Sequence, residues 1–166
     1  MSQVINAVYQ LKITGPTGTV VYVGGHKVPN PVDAISAEAS AATLAAEPVI
    51  ASASTVINSP TAAGDNEEQY FARVASTASV GLIGVALENI NAGRKGLIAG
   101  AGCSVPVRTT GTAVLGRVLN ALNGAAGQVG TAAAATGAPT QTLGICIKAN
   151  ASIGGVNIAG VLVAPA

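Results

Sequence analysis

The sequence predicts an all-β fold: a small β-barrel or tulip-like β-sandwich, preceded by an N-terminal hairpin and an alanine-rich arm or short helix. Three observations carry that expectation. Short apolar runs are separated by glycine-bearing connections every ~8 to 12 residues, the spacing of sandwiches and barrels. The first strands alternate with a period of two. The second half also echoes the first at a displacement of 60 positions: Gly84 answers to Gly144, Val85 to Ile145, Leu87 to Ile147, and Ile98-Ala99-Gly100 recurs as Ile158-Ala159-Gly160. A solenoid needs at least ~3 stacked repeats, so two copies indicate two similar β units sharing one core.

Residues 8–14 place Tyr9, Leu11 and Ile13 on one face and Gln10, Lys12 and Thr14 on the other, the pattern of a half-buried strand. Gly15-Pro16-Thr17-Gly18 has turn chemistry, and the β-branched run 19–23 supplies the partner strand of a hairpin. Gly24-Gly25-His26-Lys27 and Pro29-Asn30-Pro31 are expected to end it, because proline removes ladder donors.

Residues 33–47 are alanine-rich, with Asp33 as a candidate N-cap and Pro48 as a stop. Only Ile35 and Leu44 give that segment a sizeable apolar face, so a short helix and an extended arm are both open. Residues 49–57 read as strand and 59–65 as loop. The main β region then follows: a moderately alternating stretch over 68–75, a fully apolar run over 80–87, and a turn at Asn91-Ala92-Gly93. Further strands are expected over 97–101, 103–108 and 113–119, with one irregular strand around Val129 inside the Gly/Ala/Thr-rich stretch 120–140. Strands over 143–148 and 156–163 complete the fold. The expected organisation is an N-terminal extension over 1–60 and a core domain over 61–166.

Charged residues make up 9% of the 166 residues and hydrophobic residues 49%, whereas an ordinary soluble domain carries ~25% charge. So little charge to solvate the exterior points to a surface partly covered by a partner or by copies of the chain. The net charge of +1, without a basic patch or aromatic platforms, argues against nucleic acid as a partner. The apolar runs fall far short of the ~20 residues that span a bilayer, so no membrane is implied. The first residues lack the basic and apolar segments of a signal peptide, so synthesis in a cytoplasm is expected, and Cys103 and Cys146 read as buried free thiols.

Catalytic groups are sparse. His26 is the single histidine and stands in a Gly-Gly-His-Lys context with no orienting partner in view. With two distant cysteines it offers no close ligand pairs for zinc. Asp65, Glu67 and Glu68 lack the ligand spacing of a calcium loop, and Gly93-Arg94-Lys95-Gly96 reads as a turn between strands rather than a phosphate loop. Neither catalysis, a cofactor nor a metal is expected. The candidate contact residues are Tyr9, Lys12, Tyr22, His26, Arg94 and Lys95, in accessible strands and turns and of types that interfaces favour.

The stretch GLIGVALENINAGRKGLIAGAGCSVPVRTTG, then AAGQVGTAAAATGAPTQTLGICIKANASIGG and the terminal VNIAGVLVAPA, resembles the capsid cement or head decoration proteins of tailed bacteriophages. The shared pattern is an apolar GVAL or GICI strand, a glycine turn, a VPV strand and a glycine/alanine stretch before a last apolar strand. It covers roughly residues 64 to 166. The resemblance implies a compact β domain that forms a homotrimer and binds the outer surface of the phage head, bridging major capsid subunits without a cofactor. The first ~60 residues exceed what a minimal member needs, a length at which an added lobe matters. The alternative is a virion-surface adhesion module that binds a host glycan or protein, and the sparse aromatics speak against glycan.

Overall fold

The computed structural model describes residues 7–28, 34–39, 42–51, 69–73, 82–92, 94–121, 125–132 and 142–164. Over these residues the protein is all-β, as expected, and no helix occurs among them.

The hairpin forms from β1 (Ala7–Thr14) and β2 (Val20–Val28). Its turn is closed by the Gly15 amide donating to the Thr19 carbonyl (2.7 Å) and the Gly18 amide to the Gly15 carbonyl (3.1 Å), with Gly18 at a φ of 82°. Leu11 and Ile13 are buried and Lys12 is exposed, so the alternation faces the way the sequence implies. The second strand does not stop at Gly24. Tyr9 pairs with His26 but Leu11 with Val23, so β2 carries one extra residue where the two glycines stand. A bulge at a glycine lets a strand continue through an irregular register.

The described residues of the alanine-rich segment are strand and turn rather than helix. Residues Ala34–Ala39 form β3, which pairs antiparallel with β7 (Lys95–Ala99) and parallel with β5 (Gln69–Arg73). Without an apolar stripe at helical spacing, the segment gains more from two ladders than from a helix. Pro48 begins β4 (Pro48–Ala51), a strand position that tolerates the missing donor. With β6 (Leu82–Ala86), these strands pair in the order β3-β5-β4-β6-β7, and β7 returns to β3, so the order closes into a ring. Residues 52–57 of the expected 49–57 strand, the 59–65 loop and the carboxylates Asp65, Glu67 and Glu68 lie outside the described residues.

The rest of the chain forms a five-stranded sheet in the order β10-β9-β11-β12-β8, from β8 (Ser104–Arg108), β9 (Val118–Asn120), β10 (Gly130–Thr131), β11 (Thr142–Ile153) and β12 (Val156–Val163). The irregular strand near Val129 is present. The strand expected over 113–119 is reduced to β9, because Gly111 and Gly116 take φ values of 66° and 76° and turn 111–117 into a loop. β11 runs past Lys148 to a tight turn at Gly154-Gly155, where φ values of 59° and 80° suit a two-residue hairpin connection.

One large cluster joins all three parts. It holds Leu11 and Ile13 of the hairpin, Val85 and Leu87 of the ring, and Val105, Val107, Leu143 and Val161 of the sheet. Cys103 and Cys146 are buried within it and form no disulfide, as the sequence suggests.

Candidate interaction surfaces

The six contact residues expected from the sequence fall in two places. Register sets Tyr9 opposite His26 and Lys12 opposite Tyr22, so four of them share the hairpin ladder. Arg94 is exposed just before β7, its amide donating to the Asn91 carbonyl (3.0 Å), and Lys95 is the first residue of β7, opposite Glu38 of β3. Lys95 thus belongs to a ladder rather than to the turn expected for it.

A more distinctive surface lies on the outer side of the five-stranded sheet. Ile145 of β11 sits directly opposite Leu162 of β12 and opposite Val118 of β9, while Leu162 faces Ser104 of β8, which makes a row across four strands. Ile145 and Leu162 are 45% and 41% exposed, and Ile147, at a register shift in β11, is 43% exposed. Directly opposed apolar pairs of this kind normally stabilise a buried face.

The loop alongside β11 carries two more exposed aliphatic side chains. Cys146 donates its amide to the Arg117 carbonyl (2.8 Å) and accepts from the Gly116 amide (2.7 Å), which fastens residues 116–117 to the edge of β11. Asn150 holds the loop from the other end: its Oδ1 accepts from the Ala113 amide (2.8 Å), and its Nδ2 donates to the Gly111 carbonyl (3.1 Å). Thr131 adds a hydroxyl that donates to the Thr112 carbonyl (3.1 Å) and accepts from the Val114 amide (3.3 Å). At the apex of this braced loop stand Val114 and Leu115, 47% and 64% exposed. A rigid turn that carries two uncovered aliphatic side chains is preorganised for contact. The sequence showed these residues as strand, and only the pairing across β11 reveals them as a knob.

Lys148 is the charged residue nearest the row on β11. It sits opposite Gly160, and a Cβ added there would come within 2.9 Å of the Lys148 Cβ, so the lysine stem covers the gap that glycine leaves. Beside it Cys146 Sγ donates to the Lys148 carbonyl (3.3 Å). Burial pushes the Cys146 thiol up from its ordinary range, partly offset by hydrogen bonding of the sulfur to the Lys148 backbone.

A cleft of about 590 Å³ opens between the hairpin turn, the 44–47 turn, the end of β8 and the β11–β12 turn. Its walls include Glu47 and Arg108, both buried, and Gln128, whose Oε1 accepts from the Thr110 hydroxyl (2.7 Å). Arg108 is spent on the fold: its Nε donates to the Ala45 carbonyl (3.0 Å) and its amide to the Ala46 carbonyl (2.8 Å). These bonds hold Ala46 at a φ of 67°, a left-handed position that costs a non-glycine residue roughly 1–2 kcal/mol. Glu47 Oε2 accepts from the Leu44 amide (2.9 Å) and so braces the same turn. Arg108 thus ties the 44–47 turn to the sheet, while Glu47 stiffens that turn from within. Among the described residues no group of three His, Cys, Asp or Glu side chains comes together as a metal site would require.

No family model and no curated protein matches the chain. Among solved structures it is similar to the N base of the head fibre gp8.5 of bacteriophage phi29, at 15% identity and a TM-score of 0.47, over 77% of this chain and 92% of that one.

Proposed function

We propose that this chain is a structural protein of a bacteriophage virion, one that binds the outer surface of the head and fastens neighbouring major capsid subunits as a homotrimer. It acts by adhesion, not catalysis, and needs no cofactor. The observation that supports the reading most is where the residues of the phage-cement resemblance fall. GVAL and GICI lie in or border β6 and β11, VPV lies in β8 and the terminal apolar run forms β12, while the outer surface of the sheet that β8, β11 and β12 help build keeps an uncharged row of half-exposed aliphatic side chains. Such a surface suits a subunit that completes its burial on assembly. Many copies on a rigid lattice turn weak single contacts into a firm attachment. In this reading the hairpin offers its open strand edges, with Tyr9, Lys12, Tyr22 and His26, to the shell. Arg94 and Lys95 supply a second contact, and the protein is made in the cytoplasm of the host bacterium.

The test is to mix the purified protein with undecorated heads of its phage and image them. Ordered extra density at local threefold positions is the expected result, and bare heads at saturating protein overturn the reading. Removing residues 1–30 is a poor probe of the hairpin, because Leu11 and Ile13 belong to the shared core. Lys12→Glu together with Arg94→Glu leaves the core intact, since both side chains are exposed, and is expected to lower occupancy on heads.

A further inference from the structure

We infer that the outer face of the five-stranded sheet, centred on Ile145, Ile147 and Leu162 and extended by Val114 and Leu115, is where copies of this chain meet. The inference deepens the proposed function and rests on its oligomer.

The case for a second copy as the occupant comes from the chain's own duplication. Ile145 and Ile147 stand 60 positions after Val85 and Leu87. In the first unit those two residues are buried in the common cluster with Val105 and Val107 of β8, so a β layer of this same chain covers them. In the second unit the matching positions carry isoleucine and face outward. The molecule therefore already contains the kind of surface that covers this pattern, an apolar β layer almost free of charge.

Charge supports the same occupant. Lys148 on β11 and exposed Arg117, between Leu115 and Val118, are the charged residues beside the face, and the aliphatic row itself carries no charge, so its centre offers little to a strongly acidic or basic partner. A chain with 9% charged residues and a net charge of +1 is a partner of matching character, with almost no long-range repulsion between copies. The five side chains together expose on the order of 400 Å² of apolar surface, at the size where patches on monomers are often functional. That is about half of the ~800 Å² each partner gives to a standard interface, which fits an apolar centre with a polar rim. The exposed residues Thr112, Ala149, Ala151 and Ser152 are placed to form such a rim.

The deciding experiment measures mass against concentration for the full chain, by sedimentation or light scattering, with circular dichroism to verify folding. The unaltered protein is expected to be oligomeric. The double substitution Ile145→Thr with Leu162→Thr, which keeps β-compatible side chains on exposed positions, is expected to raise the dissociation midpoint at least tenfold. Leu115→Ser should shift it less, in the same direction. Val20→Thr, an exposed apolar position on the hairpin away from this face, should leave the mass unchanged. If the double variant fails to fold, Ile147→Ser at the register shift takes its place. A single-chain mass for the unaltered protein at high concentration overturns the inference, as do variants that assemble normally or a Val20→Thr that dissociates as readily. Head binding separates this outcome from the reading it rests on. Heads left bare while the masses behave as expected overturn the capsid role alone, and heads decorated by protein whose face variants still assemble overturn this inference alone.

Discussion

The β6–β7 pair and the β11–β12 pair are built from matching residues, yet one hides what the other displays. In the first, Val85 pairs with Ala99 and both are fully buried. In the second, Ile145 stands opposite Leu162 instead of Ala159, the residue that answers to Ala99, and both partners are exposed. The slip is three residues, an odd number, and an odd slip exchanges the face that a strand presents. The connections explain it. The first pair is joined through residues 87–94, where Glu88 Oε1 accepts from the Leu97 amide (3.0 Å), whereas the second is joined by Gly154-Gly155 alone and takes up register shifts within β11. A different connection thus converts a core position into a surface position while the residue there stays aliphatic and β-branched.

What the two units keep in common is a glycine against a carbonyl. A Cβ on Gly84 would fall on the Ala99 carbonyl oxygen, and one on Gly144 on that of Leu162. Both obstacles are backbone, which cannot rotate away. The largest effect is therefore expected from Gly84→Ala and Gly144→Ala, each destabilising by about 3 kcal/mol, the upper end of overpacking costs. Chemical denaturation measures it. A Gly144→Ala protein as stable as the parent would break the equivalence of the two units.

Next in size is a contrast designed to sharpen the comparison. Val85→Ala removes two buried carbons and is expected to cost about 1–2 kcal/mol of folding stability. Ile145→Thr, at the matching but exposed position, should stay within about 0.5 kcal/mol when measured at concentrations where copies are apart. Equal losses at both sites would mean that the sheet face is covered within the chain itself.

That contrast also marks how far the sequence could be read. The hairpin's facing was legible because Leu11, Lys12 and Ile13 alternate cleanly, and the run over 80–87 announced a buried strand because nothing in it is polar. The echo announced two related units. It was silent on register, since period-two reasoning places residues on a face only after a partner strand is known. Ala34–Ala39 has no periodic pattern at all, and its place in the ring depends on ladders to β5 and β7 that lie far along the chain. The left-handed Ala46 is held by Arg108, 62 positions on, and no local signal marks it. Of the candidate surfaces, the hairpin residues were visible as residue types, whereas the Val114-Leu115 knob was hidden inside what read as a strand.

The loop that carries the knob provides a smaller test. Asn150 is its clasp, so Asn150→Ala should cost about 1–2 kcal/mol through two lost hydrogen bonds, one of them to the amide of buried Ala113. Amide exchange should quicken over 111–117 while the β6–β7 pair stays protected. Uniform acceleration across both pairs would show that the loop is part of the core's cooperative unit and not a braced attachment to it.

The smallest effect concerns Cys146, which answers to Ala86 in the first unit and is likewise buried. Burial raises its pKa, so the folded state favours the protonated thiol more than the unfolded chain does. The linkage follows in sign: this contribution to stability is complete below the ordinary thiol range and is lost as the pH climbs through the raised value. Cys146→Ala, which copies the residue of the first unit, should therefore flatten the alkaline decline of the melting temperature while leaving the neutral region nearly flat in shape. In the native protein the thiol should also resist alkylation at mildly alkaline pH and react once denaturant is added, because the thiolate is the reactive form. Rapid labelling of folded protein at Cys146 would show that the inner side of β11 opens readily, and the clean division between a covered and an uncovered face would have to be given up.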